Sequence, residues 1–240
     1  MANNYFKFKE FTIQQEKAAL KTTTDSCLFG AWVAHQLQTT IKKPSTILDI
    51  GTGTGLLMLM LAQKLNVLID GIEIDQSSYE QTKENIEASP WKERLNLFCG
   101  DVKTFSFEKQ YDFIIANPPF YEGDLKSVHL HKNIAKHDAE LTLEALAEAT
   151  AKNLSAEGCF ALLLPYHRAE AFMAVAEKKD LYLSQLVRVK QTFKHRYFRA
   201  MLLFSRTPKT LTEDEIIIRN ADDKYSTKFT DLLKDYYLYL

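Results

Sequence analysis

From residue 45 onward the chain alternates between two hydrophobic patterns. Short runs without a polar face (TILDI, VLIDGIEI, RLNLFCG, YDFIIA and CFALLLP) are separated by helical stretches over 54–65, 76–88, 141–154 and 167–178. Strands apolar on both faces and separated by helices predict a doubly wound, mostly parallel sheet covered on both sides. Two more runs, LSQLVRVKQTF and RAMLLFSR, are joined by a few residues around 194–197. So short a link makes an antiparallel hairpin and brings the sheet to seven strands. Ahead of this region lie an aromatic-rich strand over 5–13 and an amphipathic helix from about 26 to 38. There is no repeat and no Pro/Gly/Ser linker. The expected organisation is therefore α/β: an N-terminal strand and helix extension, 1–44, packed on one domain, 45–240.

Composition narrows the class. With 240 residues, 46% hydrophobic and 25% charged, the chain has the makeup of an ordinary globular protein with one large core. Its 30 Lys and Arg nearly cancel 31 Asp and Glu, so a nucleic-acid partner must be met by a local patch. Cys27, Cys99 and Cys159 lie far apart and are expected as reduced thiols in the core. The charged N-terminus is no signal peptide, and the longest apolar run, LLMLMLA, is far short of a membrane span. A cytoplasmic protein without membrane contact is expected.

LDIGTGTGLL follows the first parallel strand and opens a helix, the place where doubly wound folds bind nucleotides. A dinucleotide fingerprint needs Gly-x-Gly-x-x-Gly; here Gly55 comes one residue early and Leu56 holds the third position. Gly51, Gly53 and Gly55, preceded by Asp49, instead resemble motif I of S-adenosylmethionine-dependent methyltransferases. That resemblance implies a Rossmann-like fold, glycines that let the backbone approach the cofactor, and an acid at its amino-acid end. Glu73 ends the next strand at the distance where an acid accepts from ribose hydroxyls. Asp101 ends the third, where methyltransferases commonly place an acid on the adenine amine. Each acid alone also fits a helix cap or a solvated strand end. Three at successive strand ends, with the glycine loop, favour the cofactor.

The fourth strand stops at Asn117-Pro118-Pro119-Phe120. Two prolines cannot continue a central strand, and a rigid turn is one reading. The tetrapeptide also resembles motif IV of methyltransferases acting on nitrogens conjugated to a ring or carbonyl. The chemistry suits these residue types. The Asn117 side-chain oxygen and the Pro118 carbonyl can accept both N–H groups of an exocyclic amine and favour a pyramidal nitrogen. Phe120 then offers a flat face to an unstacked base.

Adenine N6, guanine N2 and a glutamine side chain all fit such a motif. FKFKEFTIQQEKAALKTTTDSCLFGAW, NIAKHDAELTLEALAEA and YSTKFTDLLKDYYLYL resemble the bacterial tRNA-Val adenine N6-methyltransferases, and that likeness covers essentially the whole chain. It implies adenine 37, beside the anticodon, as the target, with tRNA as partner; the sequence does not fix the oligomeric state, and a monomer without an obligatory protein partner is expected. It also lays residues 21–25 over the cofactor, which makes Thr24 and Asp25 candidate contacts; a helix cap at Asp25 is the alternative. A guanine or glutamine methyltransferase, or a nucleotide-binding module without turnover, remain alternatives. Arg188, Lys190, Lys194, Arg196 and Arg199, interleaved with Phe193, Tyr197 and Phe198, suit single-stranded RNA. Lys194, Arg196 and Arg199 are the expected phosphate contacts; a solvated strand edge guarded by cations is the other reading. His129, His131 and His137 lack a carboxylate or Cys at ligand spacing and read as a basic substrate loop, not a metal site. TEDE, 212–215, reads as solvated surface.

Overall fold

Alternate residues of each central strand serve opposite cores. In a computed structural model, which describes residues 3–39, 41–119 and 141–240, the first three parallel strands are β3 (Thr46–Ile50), β4 (Leu68–Glu73) and β5 (Leu95–Cys99). β6 (Tyr111–Ala116) and β7 (Leu154–Pro165) complete the parallel set. Ile47, Phe113 and Ile115 enter one core while Leu48, Ile114 and Ala116 enter the other. That follows from the two-residue period of a strand and explains why these runs show no polar face.

The hairpin forms as expected: β8 (Tyr182–Lys190) and β9 (Arg199–Ser205) are antiparallel, and β9 also pairs antiparallel with β7. The sheet is one strand wider than expected. β10 (Thr212–Ile217) adds to β8 in parallel, giving the order β10-β8-β9-β7-β6-β3-β4-β5. Thr212, Glu213 and Asp214 are exposed and Glu215 half-buried, but as the first part of this strand. Its acids hid it from a pattern search, and charge is what an edge strand carries on its open side.

Helices α1 (Thr24–Thr39), α2 (Leu56–Lys64), α3 (Gln76–Glu87), α4 (Leu143–Asn153), α5 (Ala169–Glu177) and α6 (Thr227–Leu233) clothe the sheet. α1 and α2 share a core with α6, while α4 and α5 share the opposite one. α1 is not amphipathic as expected: Ser26 to Ala34 are all buried, because α2, α6 and β7 surround it. The expected strand over 5–13 is instead a hairpin of β1 (Tyr5–Lys7) and β2 (Thr12–Gln14), turned by Phe8 and Phe11. The chain ends meet there. The Lys9 N–H donates to the Tyr236 carbonyl at 2.9 Å, and the buried Tyr236 hydroxyl donates to the Met60 carbonyl at 3.1 Å. Cys27 and Cys159 are buried thiols; Cys99 is exposed, since it ends the edge strand β5. Among the described residues no helix is long and apolar enough to cross a membrane.

Candidate cofactor and substrate site

Four segments reach one edge of the sheet because their strands are parallel and in register. Ile50 pairs with both Ile72 and Ala116, and Glu73 pairs with Cys99. Gly51, Glu73, Asp101 and Asn117 therefore emerge together at the carboxyl ends of adjacent strands, where open α/β sheets bind ligands.

The glycine loop needs its glycines. Gly51, Gly53 and Gly55 have φ of 69°, 61° and 78°, the left-handed region that strains other residues. A side chain on Gly55 would stand 3.0 Å from Thr82 Cγ2, whereas one on Gly51 would meet nothing within 4 Å. Room is thus left over the loop at Gly51. The loop is held from α3: Thr82 Oγ1 donates to the Gly53 carbonyl at 2.5 Å, and Asn85 Nδ2 donates to the Thr54 carbonyl at 2.9 Å.

Both strand-end acids at the loop are buried. Glu73 accepts from the N–H groups of Gly53 at 2.8 Å and Asp75 at 2.9 Å. Burial raises its pKa, against the pull of these two donors. Asp49 takes the Thr52 hydroxyl on Oδ2 at 2.7 Å, while its buried Oδ1 has no partner. Burial first, and the Glu73 charge besides, push its carboxyl up to about 7, with the Thr52 bond opposing. An unmet buried acceptor costs about 1–3 kcal/mol, so a cationic donor arriving at Oδ1 would gain doubly. Asp101 stands two residues past β5 and closes on its own turn, accepting the Lys103 N–H at 2.9 Å and pairing with Lys103 Nζ at 3.3 Å.

Asn117 is half-buried, Pro118 buried and Pro119 exposed, just beyond β6. Phe120 lies outside the described residues, as do His129, His131 and His137. Among the described residues no group of His, Cys, Asp and Glu could hold a metal ion.

Thr24 is exposed at the start of α1. The helix cap is not Asp25. Thr23 and Ser26 exchange the capping bonds, at 3.0 Å and 3.4 Å, and Asp25 accepts Arg199 Nε at 2.6 Å. Two more of the hairpin cations face acids of β10: Arg188 pairs with Glu213 and Lys190 with Glu215, both at 2.8 Å. Lys194 and Arg196 are exposed and, among the described residues, have no acidic partner.

Sequence reasoning missed the polar face of α3. Ser78, Gln81, Thr82 and Asn85 are all buried, and besides the loop they hold residues 14–19. Asn85 exchanges bonds with the Gln14 backbone, Gln81 accepts the Lys17 N–H, and Ser78 accepts the Ala19 N–H. Their helical spacing, three and four residues apart, was the available signal.

Comparison with known proteins bears on what this edge serves. The methyltransferase small domain family model matches residues 31–150. A tRNA1(Val) (adenine(37)-N6)-methyltransferase of Flavobacterium johnsoniae is 38% identical over 97% of this chain and 99% of its own. One of Tolumonas auensis, with the same description, is 38% identical over 99% of this chain and 98% of its own. The chain belongs to the tRNA1(Val) (adenine(37)-N6)-methyltransferase family. A solved structure described as a predicted O-methyltransferase from Agrobacterium tumefaciens shares the fold at TM-score 0.67 and 13% identity, covering 88% of this chain and 95% of that one.

As a member of that family the protein uses S-adenosylmethionine as methyl donor. The residues present fit this cofactor: the unmet Asp49 Oδ1 suits a cationic amine, and the room over Gly51 suits a ligand lying close to the backbone.

Proposed function

We propose that the protein methylates N6 of adenine 37 in the anticodon loop of tRNA-Val. One observation carries the reading: Ile50 and Ala116 are register partners, so the glycine loop and Asn117 leave adjacent strand ends side by side. In this reading methyl donor and amine are neighbours.

In this reading Asp49, Gly51, Gly53, Gly55, Glu73 and Asp101 line the cofactor site, with Thr24 and Asp25 at its rim and Asn117 at the methyl end. S-adenosylmethionine supplies an electrophilic methyl group when bound. The Asn117 side-chain oxygen and the Pro118 carbonyl accept the two N–H groups of the adenine amine, which turns the nitrogen lone pair toward that methyl. The rigid prolines hold both acceptors. No general base is needed, because the methylated cationic nitrogen sheds its proton readily to water. Phe120 is the flat partner of the extruded base, and Lys194 and Arg196 neutralise phosphates around it. An anticodon loop suits a protein this small, because its bases are already unpaired and extruding one costs only a few kcal/mol. The division into an extension, 1–44, and a methyltransferase domain, 45–240, belongs to the same reading, as does action by a cytoplasmic monomer; acids on the outer strand β10 support the latter by discouraging edge pairing.

The test offers the protein tRNA-Val, the same tRNA with guanine at position 37, and a release-factor peptide, with labelled cofactor. Label in N6-methyladenine of the first alone is expected. Label in the peptide or at a guanine N2 overturns the reading in favour of those substrates. Cofactor binding without label in any of them points to a binding module.

A further inference from the structure

A cleft of about 730 Å³ opens between the end of β7 and the β8–β9 link, lined among others by Tyr166, Lys190, Arg196, Tyr197, Phe198 and Arg199. Two of its rings come from different segments and meet across it. Tyr166, just past β7, and Tyr197, in the link, have centroids 5.1 Å apart with ring planes 52° apart.

The acidic edge strand holds Tyr197 directly and Tyr166 through Arg188. The Tyr197 hydroxyl donates to Glu215 Oε2 at 2.5 Å, the same carboxylate that pairs with Lys190 at 2.8 Å, and Lys190 Nζ lies 5.2 Å from the Tyr197 ring centroid. The Tyr166 side chain bears on Arg188, which Glu213 anchors at 2.8 Å. Glu213 and Glu215 of β10 are thus spent on cations of β8, while Asp214 pairs with Lys228. What the cleft presents is two half-exposed aromatic rings with the exposed cation Arg196 on its wall. Preorganised rings beside an exposed cation suit a planar base followed by a phosphate.

We propose that Tyr166 and Tyr197 form a stacking platform for the unpaired RNA base next to the methylated adenine, a placement that rests on the tRNA reading above. Register sets the ring pair apart from Asn117. Ala116 pairs with Leu162, so Tyr166, four residues past Leu162, stands three residues farther along than Asn117, one residue past Ala116. At about 3.3 Å per residue that is about 10 Å, with a strand spacing of about 5 Å sideways. That offset is of the order of the spacing between neighbouring nucleotides, so a target adenine at Asn117 places the adjoining nucleotide nearest the ring pair.

The experiment uses an anticodon stem-loop RNA with 2-aminopurine replacing the base on the 5′ or the 3′ side of the target adenine, bound by the full-length protein with S-adenosylhomocysteine. The probe reads stacking without turnover. Binding is expected to quench the probe at one of the two positions. Tyr166→Leu and Tyr197→Leu should abolish the quench and raise KM for the RNA about tenfold, the loss of one base–aromatic stack. Their kcat and cofactor affinity should stay within about twofold, which also reports that they fold. Tyr197→Phe keeps the ring and should keep the quench. Quenching at neither position in the parent, or full quenching in both Leu variants, overturns the platform. Because methylation of the target adenine is scored separately, that failure is distinguishable from failure of the proposed function.

Discussion

Arg199, the first residue of β9, donates Nε to Oδ2 of Asp25 in the first turn of α1 at 2.6 Å, across 174 residues of sequence. Arg199 also lies over the Phe198 ring, 5.4 Å from its centroid. The pair fastens the N-terminal helix to the hairpin beside the cleft lined by Tyr166 and Tyr197, and commits Nε of Arg199 to Asp25. A partly exposed ion pair of good geometry is worth about 1 kcal/mol. Asp25→Ala and Arg199→Ala should therefore couple by about that much in a double-mutant cycle read by urea unfolding. Additive effects would show that the contact is incidental.

Asp49 should make cofactor binding depend on pH. Its carboxyl, lifted by burial to about 7 from an ordinary 3.8, is protonated in the folded protein where the unfolded chain is ionised. A raised pKa favours the folded state below the unfolded value, and that advantage is lost as pH climbs through 7. A cationic ligand at Oδ1 favours the ionised form. Affinity for S-adenosylmethionine should rise with pH and level off above about 7, with pH 6 about tenfold weaker than the plateau. Asp49→Asn should bind more weakly and lose this dependence. Calorimetry at pH 6, 7 and 8 decides it, and affinity falling as pH rises would count against the assignment.

Asn117→Ala should separate chemistry from binding. In the proposed reading its bond to the amine strengthens as the nitrogen becomes pyramidal, so the loss belongs in turnover, by a factor of about 100 or more. Cofactor and tRNA affinities should hold. Single-turnover kinetics at saturating tRNA would expose near-normal chemistry, in which case Asn117 merely shapes a turn.

Asn85 is the interior amide that joins the glycine loop to the N-terminal segment, with bonds of 2.8–2.9 Å to Gln14 and Thr54. Asn85→Ala leaves several buried backbone groups unmet, at about 1–3 kcal/mol in total stability. It should also weaken S-adenosylmethionine through the loosened loop. Thermal unfolding with and without cofactor tests both. A variant destabilised as expected but with parental cofactor affinity would remove Asn85 from the site.

The parallel sheet, the glycine loop, the three strand-end acids and the Asn-Pro-Pro turn were all legible in the chain. Each is a local pattern: a both-sides-apolar strand, a run of residues that must take positive φ, an abrupt stop in a ladder. Partnerships were not legible. Asp25, a candidate cofactor contact, and Arg199, a candidate phosphate contact, hold each other, a pairing no local pattern shows, because α1 and β9 are neighbours only once the sheet has formed. The acids at 213–215 read as solvated surface and turned out to be an eighth strand whose carboxylates take up Arg188, Lys190 and the Tyr197 hydroxyl. The buried amides of α3 drew no reading from the sequence at all. Hydrophobic periodicity shows which residues leave water, since transfer from water acts on each side chain by itself. A buried or charged polar group is stabilised only by a particular partner at hydrogen-bond distance, and which partner that is depends on strand order and register, which only the tertiary structure sets.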